Sequence, residues 1–202
     1  MKIFAIINNT PDPLKKSPFR ISEGSIDWYE MPDSSVLRSG NPFFVPDFAS
    51  EFQAFPSIVY RIGRLGKSIA PRFASRYIDS VTMGAAVVAT DLLGKLRATG
   101  APWTRATSFD RSLLLGNLQP IETLLYLDEV EICCGDSNMT YRTGDLLAGI
   151  ESVISILSKD NTLKNGDLIL AGMTPQGIEL KPDTRLCMNS KTGGTILDFN
   201  IR

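Results

Sequence analysis

Short apolar runs separated by turn residues make up most of this chain. The unbroken run Ile3–Ile7 contains β-branched and aromatic residues and predicts a buried first strand. Similar runs predict a strand that ends at Gly116 and further strands at residues 25–30, 51–63, 78–89, 126–134, 139–142, 166–171, 186–189 and 195–199, with an extended piece at 43–47.

Helical spacing of apolar residues is confined to a few stretches. Leucines recur at this spacing within residues 91–98, and Gly100 and Pro102 end that helix. Residues 71–77 predict a short helix with a proline in its first turn. The clearest helix has Thr143 as its N-cap, and its predicted apolar stripe is Leu146, Leu147, Ile150, Val153, Ile154 and Leu157.

This pattern predicts an α+β protein. We expect many short strands to curl into a roll or barrel-like core, with one long helix packed on it and a few short helices. The 202 residues are enough for one substantial core, and they contain no repeat, low-complexity segment or linker. Residues 1–202 are therefore predicted to form a single domain.

Charge and hydropathy limit the partners. A net charge of −1 gives no support for a nucleic-acid partner. No apolar run approaches the roughly 20 residues of a spanning helix, and Ile3–Ile7 is too short for a signal-peptide core. We expect a cytoplasmic protein that contacts neither nucleic acid nor membrane.

Histidine and cysteine usage restricts the chemistry. The chain has no histidine, so any catalysis must use carboxylates, lysine, tyrosine or a metal held by oxygen ligands. Three cysteines cannot form a disulfide framework, which favours a reducing compartment. Neighbouring Cys133 and Cys134 on one strand should point to opposite faces and serve as small buried residues.

Four groups of motifs occur in a familiar order. They are MPDSSVLRSG at residues 31–40, YRIGRLGK at 60–67, the DLL, GAPW and FD elements between 91 and 110, and TLKNGDLI followed by TPQG between 162 and 177. This order resembles the fumarylacetoacetate hydrolase family in its small bacterial single-domain form. The resemblance implies an Mg²⁺- or Mn²⁺-dependent hydrolase, decarboxylase or tautomerase of 2-oxo or β-diketo acids, and a homodimer.

The chain departs from the family at the implied metal site. The family's E-x-E pair falls on Phe55 and Ser57, and its metal-binding aspartate falls on Ala86, when the segments are aligned without gaps. An alternative register would make Asp91 the metal aspartate, but it breaks the spacing to Trp103. Because Mg²⁺ is usually anchored by carboxylates, a site of Phe, Ser and Ala should not hold it.

Other family positions have changed as well. The family's arginine beside the metal aspartate falls on Thr90, and its two lysines fall on Met31 and Thr107. The histidine of its N-terminal segment is absent, although Asn8 can match the accompanying asparagine. The residues left as candidates for a remnant pocket are Thr107, Thr143, Thr174, Gly177 and Asp91.

Three functional readings follow. The first is a diverged member without metal chemistry that keeps a small-acid pocket or pairs with an active paralogue. The second is an active enzyme whose metal is held by relocated acids, chiefly Glu51 and Asp91 with Glu30. The third is a structural or interaction protein whose pocket is filled by Phe55 and Met31. Exposed Phe43, Phe44 and Phe55 could serve the interface of the homodimer that the resemblance implies.

Overall fold

A computed structural model describes residues 1–19 and 26–202. Within these ranges the chain forms thirteen strands and four α-helices. The strands are β1 Ile3–Ile7, β2 Asp27–Met31, β3 Val36–Arg38, β4 Phe52–Ile62, β5 Ile78–Ala89, β6 Leu113–Leu115, β7 Gln119–Pro120, β8 Glu129–Cys134, β9 Ser137–Arg142, β10 Leu168–Leu170, β11 Ile178–Glu179, β12 Arg185–Ser190 and β13 Gly194–Asn200. The helices are α1 Pro71–Ala74, α2 Thr90–Thr99, α3 Thr104–Thr107 and α4 Ile150–Asp160.

The larger sheet has nine strands, and its main order is β2-β1-β10-β4-β5-β6-β3. Strands β4 and β5 are its centre, with 11 and 12 residues in antiparallel register. Most of their residues are buried, because the sheet is covered on both faces along this pair. Two short strands lie outside this order: β11 pairs with β4, and β7 pairs with β5.

A second sheet has the order β13-β12-β8-β9. The buried core joins residues of both sheets with α4, which turns Ile150, Val153, Ile154 and Leu157 inward. The fold class is α+β, as predicted.

The predicted start of the long helix was wrong. Helix α4 begins at Ile150 with Gly149 in the N-cap position, and Thr143 lies in a separate 3₁₀ turn, Thr143–Asp145. Leu147, predicted to lie in the apolar stripe, is 66% exposed. Helix α2, with 10 residues, is nearly as long as the 11-residue α4.

Two other predicted boundaries also moved. The strand predicted from residue 126 begins at Glu129, because Ile121–Leu127 forms a 3₁₀ helix. Strand β9 begins at Ser137, and Gly135 takes the positive φ of 56° that this tight turn requires. The strand predicted at 25–30 is β2, and Ser25 lies outside the described residues.

The aromatic residues expected at an interface mostly lie inside. Phe43 and Phe55 are 1% and 0% exposed, whereas Phe44 is 58% exposed. Cys133 is half-buried and Cys134 is buried, as expected for neighbours on opposite faces of β8. Among the described residues, no helix is both long and apolar enough to cross a membrane.

Candidate functional site

The three positions aligned with metal ligands meet at the centre of the large sheet. Phe55 of β4 lies directly opposite Ala86 of β5, and Ser57 lies opposite Gly84. Residues two apart on a strand point to one face, so Phe55 and Ser57 point the same way. All three positions are 0% exposed. Phe55, Ser57 and Ala86 are therefore neighbours in the sheet, and all three are enclosed.

Aromatic rings enclose Phe55. Its ring packs edge-on against Phe19 at 5.8 Å between centroids. Phe19 also stacks on Tyr29 at 5.9 Å and contacts Trp103 at 6.2 Å. These four side chains, Phe19, Tyr29, Phe55 and Trp103, are called the aromatic plug below. Phe19 follows Pro18 in a polar loop, and nothing in the local pattern predicts its 2% exposure.

The turn at residues 172–177 covers the same part of β4. The Gly172 N–H donates to Ser57 Oγ at 3.1 Å, and the Thr174 N–H donates to the Pro56 carbonyl at 3.0 Å. A Cβ added to Gly177 would lie 2.9 Å from Phe55 Cε2. Ser57, Thr174 and Gly177 are thus brought together, and the Ser57 hydroxyl fixes the turn.

Pro56 interrupts the ladder on one side of β4 only. Its pairing with Ala85 is continuous, and the register shift in β4 comes later, between Arg61 and Ile62. On the opposite side of β4, β11 pairs with residues 53–54 and β10 with residues 59–61. Pro56 lies in the gap between β11 and β10, and its carbonyl points into this gap toward Thr174. Its nitrogen faces the same gap and has no hydrogen to donate.

Two methionines complete the filling. Met31 and Met173 are both 2% exposed. The Tyr29 hydroxyl lies 3.7 Å from the Met173 sulfur, and the Met173 carbonyl accepts from the Thr10 hydroxyl at 2.6 Å. Met173 is therefore built into the core beside the plug.

Asn9 was missed by the sequence argument, which considered Asn8. Asn9 is 0% exposed, and its amide donates to the carbonyls of Ala148 and Ala171 at 3.0 and 2.6 Å. Its Oδ1 accepts from the Ala148 N–H at 2.8 Å. Asn9 therefore joins the end of β1 to two distant segments near the 172–177 turn.

Thr107 lies on the other side of the plug, in a cleft of about 520 Å³. The cleft is lined by Tyr29, Glu30, residues 100–104, Thr107 and Ser108. The Thr107 hydroxyl lies 3.2 Å from the Trp103 carbonyl oxygen. Thr107 as a whole is 1% exposed. Among the described residues, no lysine or arginine lines this cleft, and Glu30 is the one charged residue of the lining.

The relocated acids lie at the end of the β4–β5 pair. The Phe52–Ala89 pair is three residues from Phe55 and Ala86, or roughly 10 Å along the strands, and Glu51 and Asp91 lie beyond it. Asp91 Oδ2 accepts from the Ser50 hydroxyl at 2.9 Å, and Glu51 Oε2 lies 3.5 Å from the Thr90 hydroxyl.

The negative charge of Asp91 is stabilised by hydrogen bonds and by its position at the start of α2. Burial opposes its ionisation, but hydrogen bonds from the Ser50 hydroxyl and N–H and from the Leu92 N–H outweigh it, so the pKa of Asp91 is lowered. The carboxylate lies in the first turn of α2, where the helix dipole favours it. Its Oδ1 is buried without a hydrogen-bond partner among the described residues.

Thr143 is hydrogen-bonded to Asp128. Its hydroxyl lies 3.3 Å from Asp128 Oδ1, and its N–H donates to the Asp128 carbonyl. Thr174, by contrast, keeps a buried hydroxyl with no partner among the described residues. Of the five remnant candidates, only Thr174 and Gly177 therefore contact the stretch that contains Phe55 and Ser57.

Burial also raises the pKa of nearby phenols. The Tyr141 hydroxyl donates to the Gly172 carbonyl at 3.0 Å, and burial raises the pKa of Tyr141 to about 12. Burial raises the pKa of Tyr29 further above its ordinary value. Both phenols are neutral near pH 7, which fits an enclosed, apolar site.

Residues 2–192 match the family model described as fumarylacetoacetate (FAA) hydrolase C-terminal. The chain belongs to the fumarylacetoacetate hydrolase family. The match reaches from β1 to β12 and includes the 172–177 turn, so it contains every candidate site residue named above.

Known proteins of this family resemble the chain over most of its length. The mitochondrial oxaloacetate decarboxylase of Dictyostelium discoideum is 25% identical over 205 residues, covering 100% of this chain and 92% of the relative. The mitochondrial oxaloacetate tautomerase FAHD1 of Rattus norvegicus is 26% identical over 150 residues, covering 73% of this chain and 67% of the relative.

A solved structure shows the same fold. Fumarylpyruvate hydrolase from Pseudomonas aeruginosa, in complex with Mn²⁺ and pyruvate, superposes with a TM-score of 0.86 at 17% identity. The superposition covers 100% of this chain and 89% of that protein.

The site does not fit the metal that the family implies. Phe55 and Ala86 offer no donor atom, and the Ser57 hydroxyl already accepts a backbone hydrogen bond at 0% exposure. In residues 1–19 and 26–202, no three His, Cys, Asp or Glu side chains are grouped so that they could hold a metal ion. Mg²⁺ and Mn²⁺ prefer oxygen ligands, chiefly carboxylates, and this cluster contains no carboxylate.

Proposed function

We propose that this chain is a pseudoenzyme of the fumarylacetoacetate hydrolase family, which keeps the fold and has lost metal-dependent catalysis. The observation that carries the proposal is the enclosed cluster of Phe55, Ser57 and Ala86. A metal ion at these positions would have to displace the Phe55 ring from Phe19 and would gain no carboxylate.

Of the two roles left to such a protein, pairing with an active paralogue is better supported than binding a small acid. A carboxylate ligand needs a cation or several N–H donors to offset its desolvation. Within residues 1–19 and 26–202, the cleft beside Thr107 is lined by no lysine or arginine, and Glu30 would repel an anion. The protein then acts through its surface, as a subunit or partner.

An active metal-dependent enzyme is the alternative. It is favoured by Asp91 Oδ1, a buried oxygen without a partner among the described residues, which lies near Glu51. In that case the substrate would be a 2-oxo or β-diketo acid, such as the oxaloacetate named for two of the relatives.

Activity assays decide between these functions. We expect no decarboxylation or tautomerisation of oxaloacetate and no hydrolysis of fumarylpyruvate above background, with Mn²⁺ or Mg²⁺ supplied in excess. The Dictyostelium decarboxylase is the positive control. Turnover that is abolished by Asp91→Asn or Glu51→Gln would overturn the proposal in favour of relocated metal ligands.

We further propose a homodimer in the cytoplasm. The half-buried and buried free thiols of Cys133, Cys187 and Cys134 suit a reducing compartment. Light scattering at several concentrations tests the assembly, for which a mass near twice 22.2 kDa is expected. A constant monomer mass would refute it.

A further inference from the structure

A second cleft lies where the two sheets meet. It encloses about 440 Å³ between the first half of β5, the 3₁₀ helix Ile121–Leu127 and the β12–β13 hairpin. It shares no lining residue with the cleft beside Thr107 and contains none of the residues aligned with the family's metal ligands. Its volume falls within the usual range for small-molecule sites, about 300–1,000 Å³.

One wall of this cleft is held in place by a hydrogen-bond network. Ser190 Oγ donates to the Tyr126 carbonyl and accepts from the N–H groups of Thr192 and Gly193 at 3.2 and 3.1 Å. These bonds attach the tip of the β12–β13 hairpin to the 3₁₀ helix. The wall is therefore formed before any ligand binds, which limits the entropy lost on binding.

Among the described residues, the lining of this cleft mixes polar and apolar groups and carries no charge. Its twelve residues include no Asp, Glu, Lys or Arg. The nearest charged residue of the hairpin, Lys191, is paired with Glu129 at 2.7 Å. An ionic ligand would lose water here without gaining a partner of opposite charge, so the lining selects against ions.

Several polar groups of the lining are free to bind. The side chains of Asn117, Gln119, Tyr126 and Thr192 make no hydrogen bond within the described part of the chain. Amides and hydroxyls both donate and accept hydrogen bonds, and so do the hydroxyl groups of a polyol. Tyr126, 54% exposed, adds an apolar ring face with a polar tip.

We propose that this cleft binds an uncharged polyhydroxylated molecule of monosaccharide size. The amides of Asn117 and Gln119 form the hydrogen bonds, and the Tyr126 ring packs against the carbon–hydrogen face of the ligand. This binding does not depend on the enclosed cluster at Phe55, so it stands whether or not the chain has metal chemistry.

Nuclear magnetic resonance with the full chain tests the proposal. The probes are glucose, ribose and myo-inositol, with malonate as the charged comparison. We expect at least one neutral polyol to shift the side-chain amide signals of Asn117 and Gln119, and malonate to leave them unmoved. Asn117→Ala combined with Gln119→Ala should weaken that binding by about tenfold or more, because each substitution removes hydrogen-bonding groups.

The control variant is Leu125→Ala. Leu125 lies in the same 3₁₀ helix and is 76% exposed, but it does not line the cleft, so its loss should leave the affinity unchanged. The proposal is overturned if no neutral polyol moves the two amides, if malonate alone moves them, or if the double variant binds as well as the parent. It is also overturned if the double variant changes the mass in solution, since the cleft would then be a subunit contact.

Discussion

At the scale of single residues, the account rests on Phe55. Phe55 is 0% exposed and its ring packs against Phe19, so its burial stabilises the fold. A metal-binding carboxylate at the same position would instead cost free energy to bury. Ser57 acts in the same direction, because its hydroxyl satisfies the buried Gly172 N–H. Both positions align with metal ligands of the family, and in this chain both stabilise the fold.

Phe55→Ala should therefore lower the free energy of unfolding by about 3–5 kcal/mol, through lost transfer energy and the cavity left in the plug. Urea denaturation measures this change. Phe44→Ala is the matched control, because Phe44 is 58% exposed and its loss should cost within about 0.5 kcal/mol. Equal losses in the two variants would contradict the packing described for Phe55.

Tyr141 gives the site a pH signature. Its pKa is raised to about 12 by burial, whereas an unfolded tyrosine titrates near 10. The neutral phenol contributes stability that is fully present below pH 10 and is lost as the pH rises from about 10 to 12. Urea unfolding between pH 8 and pH 12 should show this loss, and Tyr141→Phe should show a smaller one. An identical pH dependence in both proteins would contradict the assignment.

At the scale of elements, Asn9 explains why the start of α4 was mispredicted. Its carbonyl accepts from the Leu147 N–H, and its side chain binds both backbone groups of Ala148. These bonds come from a residue about 140 positions away and hold residues 147–148 outside the helix. Periodicity in the local sequence cannot detect them, so the stripe was extended back to Leu146.

Asn9→Ala tests this role. It should reduce the free energy of unfolding by about 3 kcal/mol, because three side-chain hydrogen bonds in a buried site are lost. Asn41→Ala is the comparison, since Asn41 is exposed and its side chain makes a single bond, to the Arg38 carbonyl. Hydrogen exchange should accelerate at Leu147 and Ala148 in the first variant alone. Unchanged exchange there would sink the argument.

The elements that were predicted well depend on local pattern. Ile3–Ile7 and Ile78–Ala89 were predicted with their observed bounds, because unbroken apolar runs between turn residues identify buried strands. The pairing of Phe55 with Ala86 was implied by motif spacing. Burial of Phe19 and Met173 was not predictable, since each depends on partners brought in from distant parts of the chain.

At the scale of the whole molecule, the fold and the site have diverged separately. Residues 2–192, from β1 to β12, match the family model, and the whole chain superposes on a solved structure of the same fold. The positions aligned with the family's metal ligands are buried in the core. A scaffold held by this much buried sheet tolerates such exchange, because replacing buried carboxylates by apolar residues removes a desolvation cost.

Whether this chain binds a divalent metal ion decides whether it can be an active member of the family. Calorimetric titration of the purified, metal-stripped protein with Mn²⁺ and with Mg²⁺, beside the Dictyostelium decarboxylase, measures whether any site for these ions remains. We predict no heat of binding for this chain under conditions in which the control binds. Micromolar binding that Asp91→Asn abolishes would contradict the account and identify relocated ligands at the start of α2.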